Sequence, residues 1–446
     1  METALAVLRG LIGIACLTGI CWALSRNRKA VDWRLVLSGL CLQLLLAILV
    51  LKVPHADKPV EWMSGFFVVL LSFTDVGTKF VFGFLGAGPE FWDQVNEGIG
   101  QKGFSGFGLI FAFKILPTVV FFSALTSVLY YLGWLQVLVK GFAWMLQKSM
   151  RLSGVESLAA AANVFVGQTE APLMVKPYIA DMNRSEVLCL MTGGMATIAG
   201  GVFGAYVWIL GGSDPVAQAM YAKHLLTASL LSAPAAIVAA KILFPQTEPV
   251  DHELKVTQEK LGDNVFDSAC QGTTQGLMLA LNIGAMLITF LAFIALFNFV
   301  LNGIGSVTGL NGQIVEWTGG AYDALSLELV FGLLFSPVAW LIGANPGELM
   351  SMGQLLGVKL VANEFVAYEQ LGLMLSAEGT LSPKTAIIAT YALCGFANFS
   401  SMGIQVGGIA VLAPEKRGEL SRMALLSVVG GTAACLYTAA VAGMFV

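Results

Sequence analysis

The chain has 446 residues, of which 57% are hydrophobic and 12% charged, with a formal net charge of −4. Soluble globular domains carry roughly a quarter charged residues, so the composition speaks against a soluble enzyme, and a charge of this size does not imply a nucleic-acid partner. Mean hydropathy is +0.79, and apolar runs of about 20 residues, enough to cross a bilayer, recur from end to end.

An all-α, multi-pass membrane protein follows from these runs. Residues 4–25 are a first predicted span. No basic segment precedes it, and Arg26, Arg28, Lys29 and Arg34 follow it. It therefore does not read as a cleavable signal, and the basic cluster places the next loop in the cytoplasm and the N-terminus outside. Residues 35–53 return. Residues 60–86 are apolar but broken by Asp75, Lys79 and glycines. They predict one or two interfacial or packing helices rather than a clean span. Residues 87–103 are polar and glycine-rich, a loop. Residues 104–134 hold a long span, after which Lys140, Lys148 and Arg151 again mark the cytoplasm.

Residues 155–182 then break the pattern. Leu158 to Val166 is apolar except for Asn163, and it ends in Gly167-Gln168-Thr169-Glu170-Ala171-Pro172. A carboxylate at the end of such a run is costly to bury, and glycine and proline both interrupt helices. Each side of the break is too short to cross a bilayer. With basic residues at both ends, Lys176 and Arg184 among them, the segment predicts a re-entrant helical hairpin entered from the cytoplasm. Residues 186–211 form a span rich in glycine, carrying Thr192 and Thr197. It either packs closely through small residues or unwinds near Thr197–Gly201. Residues 221–244 cross back, 245–268 form a solvated loop, and 273–300 cross outward.

The second half echoes the first. Residues 327–343 predict an apolar helix interrupted at Ser336-Pro337. Residues 350–375 place Asn363-Glu364 inside an apolar context, and 383–412 carry Asn398, Ser400 and Ser401 in a small-residue stretch. Lys416, Arg417 and Arg422 mark a cytoplasmic turn, and 423–446 exit, which leaves about eight spans with both termini outside. Two broken segments of opposite orientation predict an inverted-repeat transporter core at 151–446 on a scaffold at 1–150. The seven cysteines lie in or beside apolar segments without CxxC spacing, so they read as packing residues. The three histidines, His55, His224 and His252, form no ligand set.

Glu170 and Glu364 at membrane depth are functional candidates. Gln168, Thr169, Asn363, Asn398 and Ser401 add amide and hydroxyl donors and acceptors, and no Arg or Lys belongs to the set, which disfavours anionic substrates. The inventory suits a neutral, polyhydroxylated ligand with a heteroaromatic part, such as a nucleoside. Two glutamates also occur in hydrolases, and polar residues line passive channels. A hydrolase needs no inverted repeat, and a channel favours repeated rings over two helix breaks.

The motifs GQTEAPLMVKPY (167–178), MTGGMATIAGG (191–201), NEFVAY (363–368) and CGFANFSSMGIQVGG (394–408) resemble those of the concentrative nucleoside transporters. The resemblance implies eight spans, two re-entrant hairpins, interfacial helices and a homotrimer in the cell membrane, for a bacterium the inner one. It implies a symporter without cofactor, importing nucleosides by alternating access on a sodium gradient, with proton coupling as the alternative. Gln168, Thr169 and Glu170 would face the nucleobase, and Glu364 the ribose hydroxyls, with Asn398 and Ser401 beside it. Val202 and Phe396 match apolar positions of the family's site, and one further apolar contact is expected from 273–300. The coupling ion would fall on the side chains of Asn163 and Thr197 and on the carbonyls of Val166 and Ile198. Gly167 resembles members of purine or broad selectivity.

Overall fold

A computed structural model describes residues 2–53, 55, 58–86, 110–253, 262–376 and 381–446. Every regular element among them is helical. Helices close their own backbone hydrogen bonds, which hydrocarbon cannot do for them. The expected loop at 87–103 and residues 254–261 of the loop at 245–268 lie outside the described residues.

Helices α1 (Glu2–Ala23) and α2 (Trp33–Leu51) open the chain, α2 capped by the Asp32 carboxylate, which accepts from the amides of Arg34 and Leu35. Helix α3 (Lys58–Phe82) is one unbroken helix of 25 residues. Asp75 does not interrupt it, because its carboxylate pairs with Lys114 at 2.6 Å. The segment expected at 104–134 is helical over Phe111–Lys114 and then α4 (Leu116–Tyr131). A helix not anticipated, α5 (Trp134–Met150), follows. It buries Leu135, Val139, Ala143, Leu146 and Met150 on one face, a spacing of three and four residues that makes a single stripe.

Helix α6 (Gly154–Phe165) starts at a capping box between Ser153 and Glu156. The chain then leaves the helix at Val166, and its return limb is a 3-10 turn, Ala171–Val175, and a single helical turn, Lys176–Ile179. Helices α7 (Arg184–Ala196) and α8 (Gly200–Gly211) are the two halves of the expected span at 186–211, separated at Thr197 to Ala199. Helix α9 (Pro215–Leu243) completes the first half.

The second half has the same order. Helix α10 (Val265–Thr308) has 44 residues, a length of about 66 Å and well beyond the expected 273–300. Helices α11 (Leu310–Thr318) and α12 (Leu327–Leu341) follow. Helix α12 is continuous through Pro337, contrary to the interruption expected there. The Ser336 hydroxyl donates to the Gly332 carbonyl at 2.6 Å, beside the ladder bond that proline cannot make. Helices α13 (Leu349–Val361) and α14 (Glu364–Ser376) flank the second hairpin's break, α15 (Pro383–Leu393) and α16 (Phe399–Leu412) are the halves of a second broken helix, and α17 (Arg417–Gly443) closes the chain.

Among the described residues, eight segments are long and apolar enough to cross a membrane, the number expected, but not the same eight. The α3 segment qualifies, whereas 383–412 does not, because residues 394–398 divide it. Packing repeats between the halves: α7 packs on α9 and on α17, while α15 packs on α17 and on α9. The core is densest along α7, α8 and α9 and loosest along α10, whose flanks expose Phe293, Phe297 and Phe299. Helix α10 packs along α4.

Candidate functional site

The two hairpin breaks and the two broken helices meet at one cavity of about 580 Å³, within the usual range for small-molecule sites of about 300–1,000 Å³. Gln168, Thr169, Glu170, Val202, Glu364, Phe396, Asn398 and Ser401 all line it. Residues from four separate stretches of sequence are thus brought together.

Glu364 is the first residue of α14, where Asn363 Oδ1 accepts the Val366 amide at 2.9 Å and acts as the cap. The carboxylate therefore sits at the positive end of a helix dipole. Each of its oxygens receives one side-chain donor: Tyr206 OH to Oε1 at 3.2 Å and Asn398 Nδ2 to Oε2 at 2.7 Å. Asn398 is fixed in turn, because its Oδ1 caps α16 by accepting the Ser401 amide at 2.9 Å and also takes the Ser400 hydroxyl at 2.7 Å. An ionised carboxylate offers about four acceptor positions. Tyr206, Asn398 and the residue's own backbone amide use up to three of them, and what remains can take a donor hydroxyl from a ligand. Tyr206 is held by rings, 4.5 Å from Tyr368 and 4.8 Å from Phe365 between centroids.

The opposite wall is the tip of the first hairpin. Glu170 Oε2 accepts the Gly167 amide at 2.5 Å, closing a turn that aims the Gln168 and Thr169 side chains inward. Gln168 Oε1 is buried without a hydrogen-bond partner, a state worth about 1–3 kcal/mol to whatever supplies a donor. The third wall is apolar. Met278, Leu279, Ile283 and Met286 of α10 face the cavity with Gln275 and Asn282 among them, all within the stretch 273–300. Sequence reasoning missed Tyr206 and the α10 residues. A usable signal existed for α10: Gln275 and Asn282 are polar positions seven apart, two turns along one face.

Behind the first tip lie the four residues expected at an ion. Val166 and Thr197 both have extended backbone, φ −123° and ψ 162° and φ −117° and ψ 162°, so each leaves its helix. Asn163 and Thr197 converge on Gly193. A Cβ added there would lie 2.8 Å from Asn163 Nδ2, and the Thr197 hydroxyl donates to the Gly193 carbonyl at 3.0 Å. Asn163 Nδ2 donates to the Ala159 carbonyl at 3.0 Å, while Asn163 Oδ1 is buried without a partner. An orphaned amide oxygen, a hydroxyl oxygen with free lone pairs and nearby carbonyls are a donor set that fits a hard monovalent cation. The start of the hairpin is anchored by a buried ion pair between Glu156 and Lys241.

Three family models match the chain: "Na+ dependent nucleoside transporter N-terminus" over residues 12–85, "Nucleoside recognition" (Gate) over 112–213 and "Na+ dependent nucleoside transporter C-terminus" over 224–443. An uncharacterized transporter of Haemophilus influenzae is 40% identical over 99% of this chain and 98% of its own length. Sodium/nucleoside cotransporter 1 of Mus musculus is 36% identical over 97% of this chain and 63% of its own. Among solved structures, CNTnw in an inward-facing substrate-bound state superposes with a TM-score of 0.86 at 38% identity, covering 99% of this chain and 98% of that one. A variant of CNTnw in an outward-facing state gives 0.85 at 37% identity, covering 98% and 97%. Helical architecture, motif order and these matches agree, and the chain belongs to the Na+-dependent nucleoside transporters, the concentrative family, a multi-pass membrane transporter rather than an enzyme.

Proposed function

We propose that the protein is a symporter that imports nucleosides on a sodium gradient, opening its cavity alternately to the two sides of the membrane. The observation that carries the reading is the convergence of both hairpin breaks on one cavity, with the orphaned Asn163 oxygen directly behind the first tip. Glu364, with Asn398 and Ser401 beside it, accepts the ribose hydroxyls. Gln168, Thr169 and Glu170 face the nucleobase, and Val202, Phe396 and the α10 methionines form its apolar bed. The sodium ion is held by the Asn163 and Thr197 side chains and the carbonyls of Val166 and Ile198. Its charge is favoured there by the negative ends of α6 and α7. A site shared by two helix ends couples the ion to the shape of the tip, and so to Gln168 and Glu170.

Alternating access is supported by the inward-facing and outward-facing forms of CNTnw. In this reading residues 151–446 form the transport core and residues 1–150 its scaffold, both hairpins are re-entrant from opposite faces, and both termini lie outside the bacterial inner membrane. The exposed apolar length of α10 supports assembly as a homotrimer. Proton coupling is the second reading, favoured by the Glu170 carboxylate at the same tip. The two separate on one variant. Asn163→Ala should raise the sodium concentration for half-maximal uridine uptake and leave the nucleoside ranking unchanged. An unchanged sodium dependence would refute the ion assignment.

A further inference from the structure

The two hairpins end alike but differ in one side chain. In the first, α6 reaches its cap at Val166, and Asn163 stands three residues earlier. In the second, α13 reaches its cap at Ala362, and Lys359 stands three residues earlier. Both side chains leave the last turn of the hairpin's first limb and meet the last turn of the broken helix that follows. Asn163 lies against Gly193 of α7. Lys359 Nζ donates to the Ala392 carbonyl of α15 at 2.9 Å. The surroundings correspond as well, since α7 and α15 each pack on both α9 and α17.

At each place two helix C-termini face one another, each equivalent to about half a negative charge. At the first the protein supplies only a neutral amide. At the second it supplies an ammonium that is 4% exposed and forms no ion pair with any described carboxylate. A buried charge without a carboxylate in direct contact is costly unless its surroundings are negative, and here those are the helix ends together with the Glu364 carboxylate, which lies within electrostatic reach of the ammonium.

We propose that Lys359 is a built-in cation, doing for the second hairpin what the sodium ion does for the first. It neutralises the facing ends of α13 and α15 and so positions Asn363 and Glu364, and the second break needs no ion from solution. The inference rests on the sodium reading of the first break. Lys359 is a positioning residue, since Glu364 and not Lys359 lines the nucleoside cavity. A small cavity of about 50 Å³ adjoins Lys359, Ala392, Ala397 and Thr432, and Thr432 Oγ1 is buried there without a hydrogen-bond partner. Were the ammonium removed, this space and oxygen would be available to a small cation.

The test is uridine uptake into proteoliposomes as a function of sodium. Lys359→Asn gives the second break the chemistry of the first, and its Hill coefficient for sodium should rise from about 1 to about 2, the number of sites. Lys359→Arg should keep the wild-type coefficient. Lys359→Met, of similar length but neutral and without an oxygen, should lose at least tenfold in uridine affinity at every sodium concentration. A Lys359→Asn protein that transports with the wild-type coefficient and half-saturating sodium would overturn the proposal, as would a Lys359→Met protein with wild-type affinity. Should the Lys359 variants fail to reach the membrane, the reciprocal Asn163→Lys decides. It should bind uridine without sodium, and a variant that purifies as wild type but still requires sodium to bind would overturn the proposal. Wild-type uptake indifferent to sodium is a separate outcome, one that removes the first-break assignment and with it the comparison. A sodium-dependent wild type beside an unaltered Lys359→Asn removes the role of Lys359 alone.

Discussion

Glu364 shows most plainly how a residue's surroundings decide its chemistry. Its carboxylate is fixed from three directions, by the α14 terminus, Tyr206 and Asn398, yet keeps acceptor capacity open toward the cavity. Losing a hydrogen bond to a charged group costs about 1.5–3 kcal/mol, roughly ten- to a hundredfold in affinity. Glu364→Gln should therefore weaken uridine binding by that factor. A 2′,3′-dideoxynucleoside should bind the wild type poorly and lose less in the variant. Equal losses in the two ligands' binding isotherms would remove Glu364 from the ribose. Gln168 and Thr169 should act on the base instead. Alanine at either should reorder purine against pyrimidine nucleosides in a competition panel, because pocket contacts set differences between ligands. Uniform weakening would make them structural. Residues of this kind were legible in the sequence because a carboxylate or amide inside an apolar run demands a reason. Tyr206 and Met278 were not, since an aromatic or a methionine in such a run is unremarkable until its neighbours are known. Lys359 stood in the sequence beside the NEFVAY motif but acquired a role only when Ala392 was found opposite it.

At the scale of elements, interruption is what creates the site. Thr197 to Ala199 unwind between α7 and α8, and the gap is shaped by glycine on both sides. A Cβ at Gly200 would meet the Phe165 carbonyl at 2.9 Å, and one at Gly193 the Asn163 amide at 2.8 Å. Overpacking of this kind costs about 1–3 kcal/mol. Gly193→Ala should push the Asn163 side chain aside and raise the half-saturating sodium roughly tenfold, 1.4 kcal/mol being one decade. Uptake titrated against sodium checks this, and an unaltered titration would mean that Asn163 does not hold the ion. The break at Thr197–Gly201 could be anticipated, because glycines and threonines lower the cost of leaving a helix. The uninterrupted α12 could not, because proline is compatible with a continuing helix when neighbouring groups absorb the disruption. Helix α5 was obscured by its lysines, which sit on its outer face while its buried stripe does the packing.

At the scale of the molecule, the repeat is visible in the order of elements and in how α7, α9, α15 and α17 pack across the halves. Hydropathy alone could count spans but not identify them. It treated α3 as broken and 383–412 as whole, since length and composition carry no information about where a helix stops. The basic residues predict that Arg184 faces the cytoplasm. With the exposed cysteines Cys16, Cys41 and Cys270 replaced, Arg184→Cys should resist an impermeant thiol reagent in intact cells and react in inverted vesicles. Labelling of intact cells would reverse the topology. The central claim is that energy in a sodium gradient drives nucleosides through this cavity. Its most direct measurement is the accumulation of labelled uridine in proteoliposomes of the purified protein. Uridine should concentrate inside under an inward sodium gradient, and should only equilibrate when sodium is equal on both sides. Accumulation driven by an imposed pH gradient without sodium, or equilibration alone under every gradient, would contradict it.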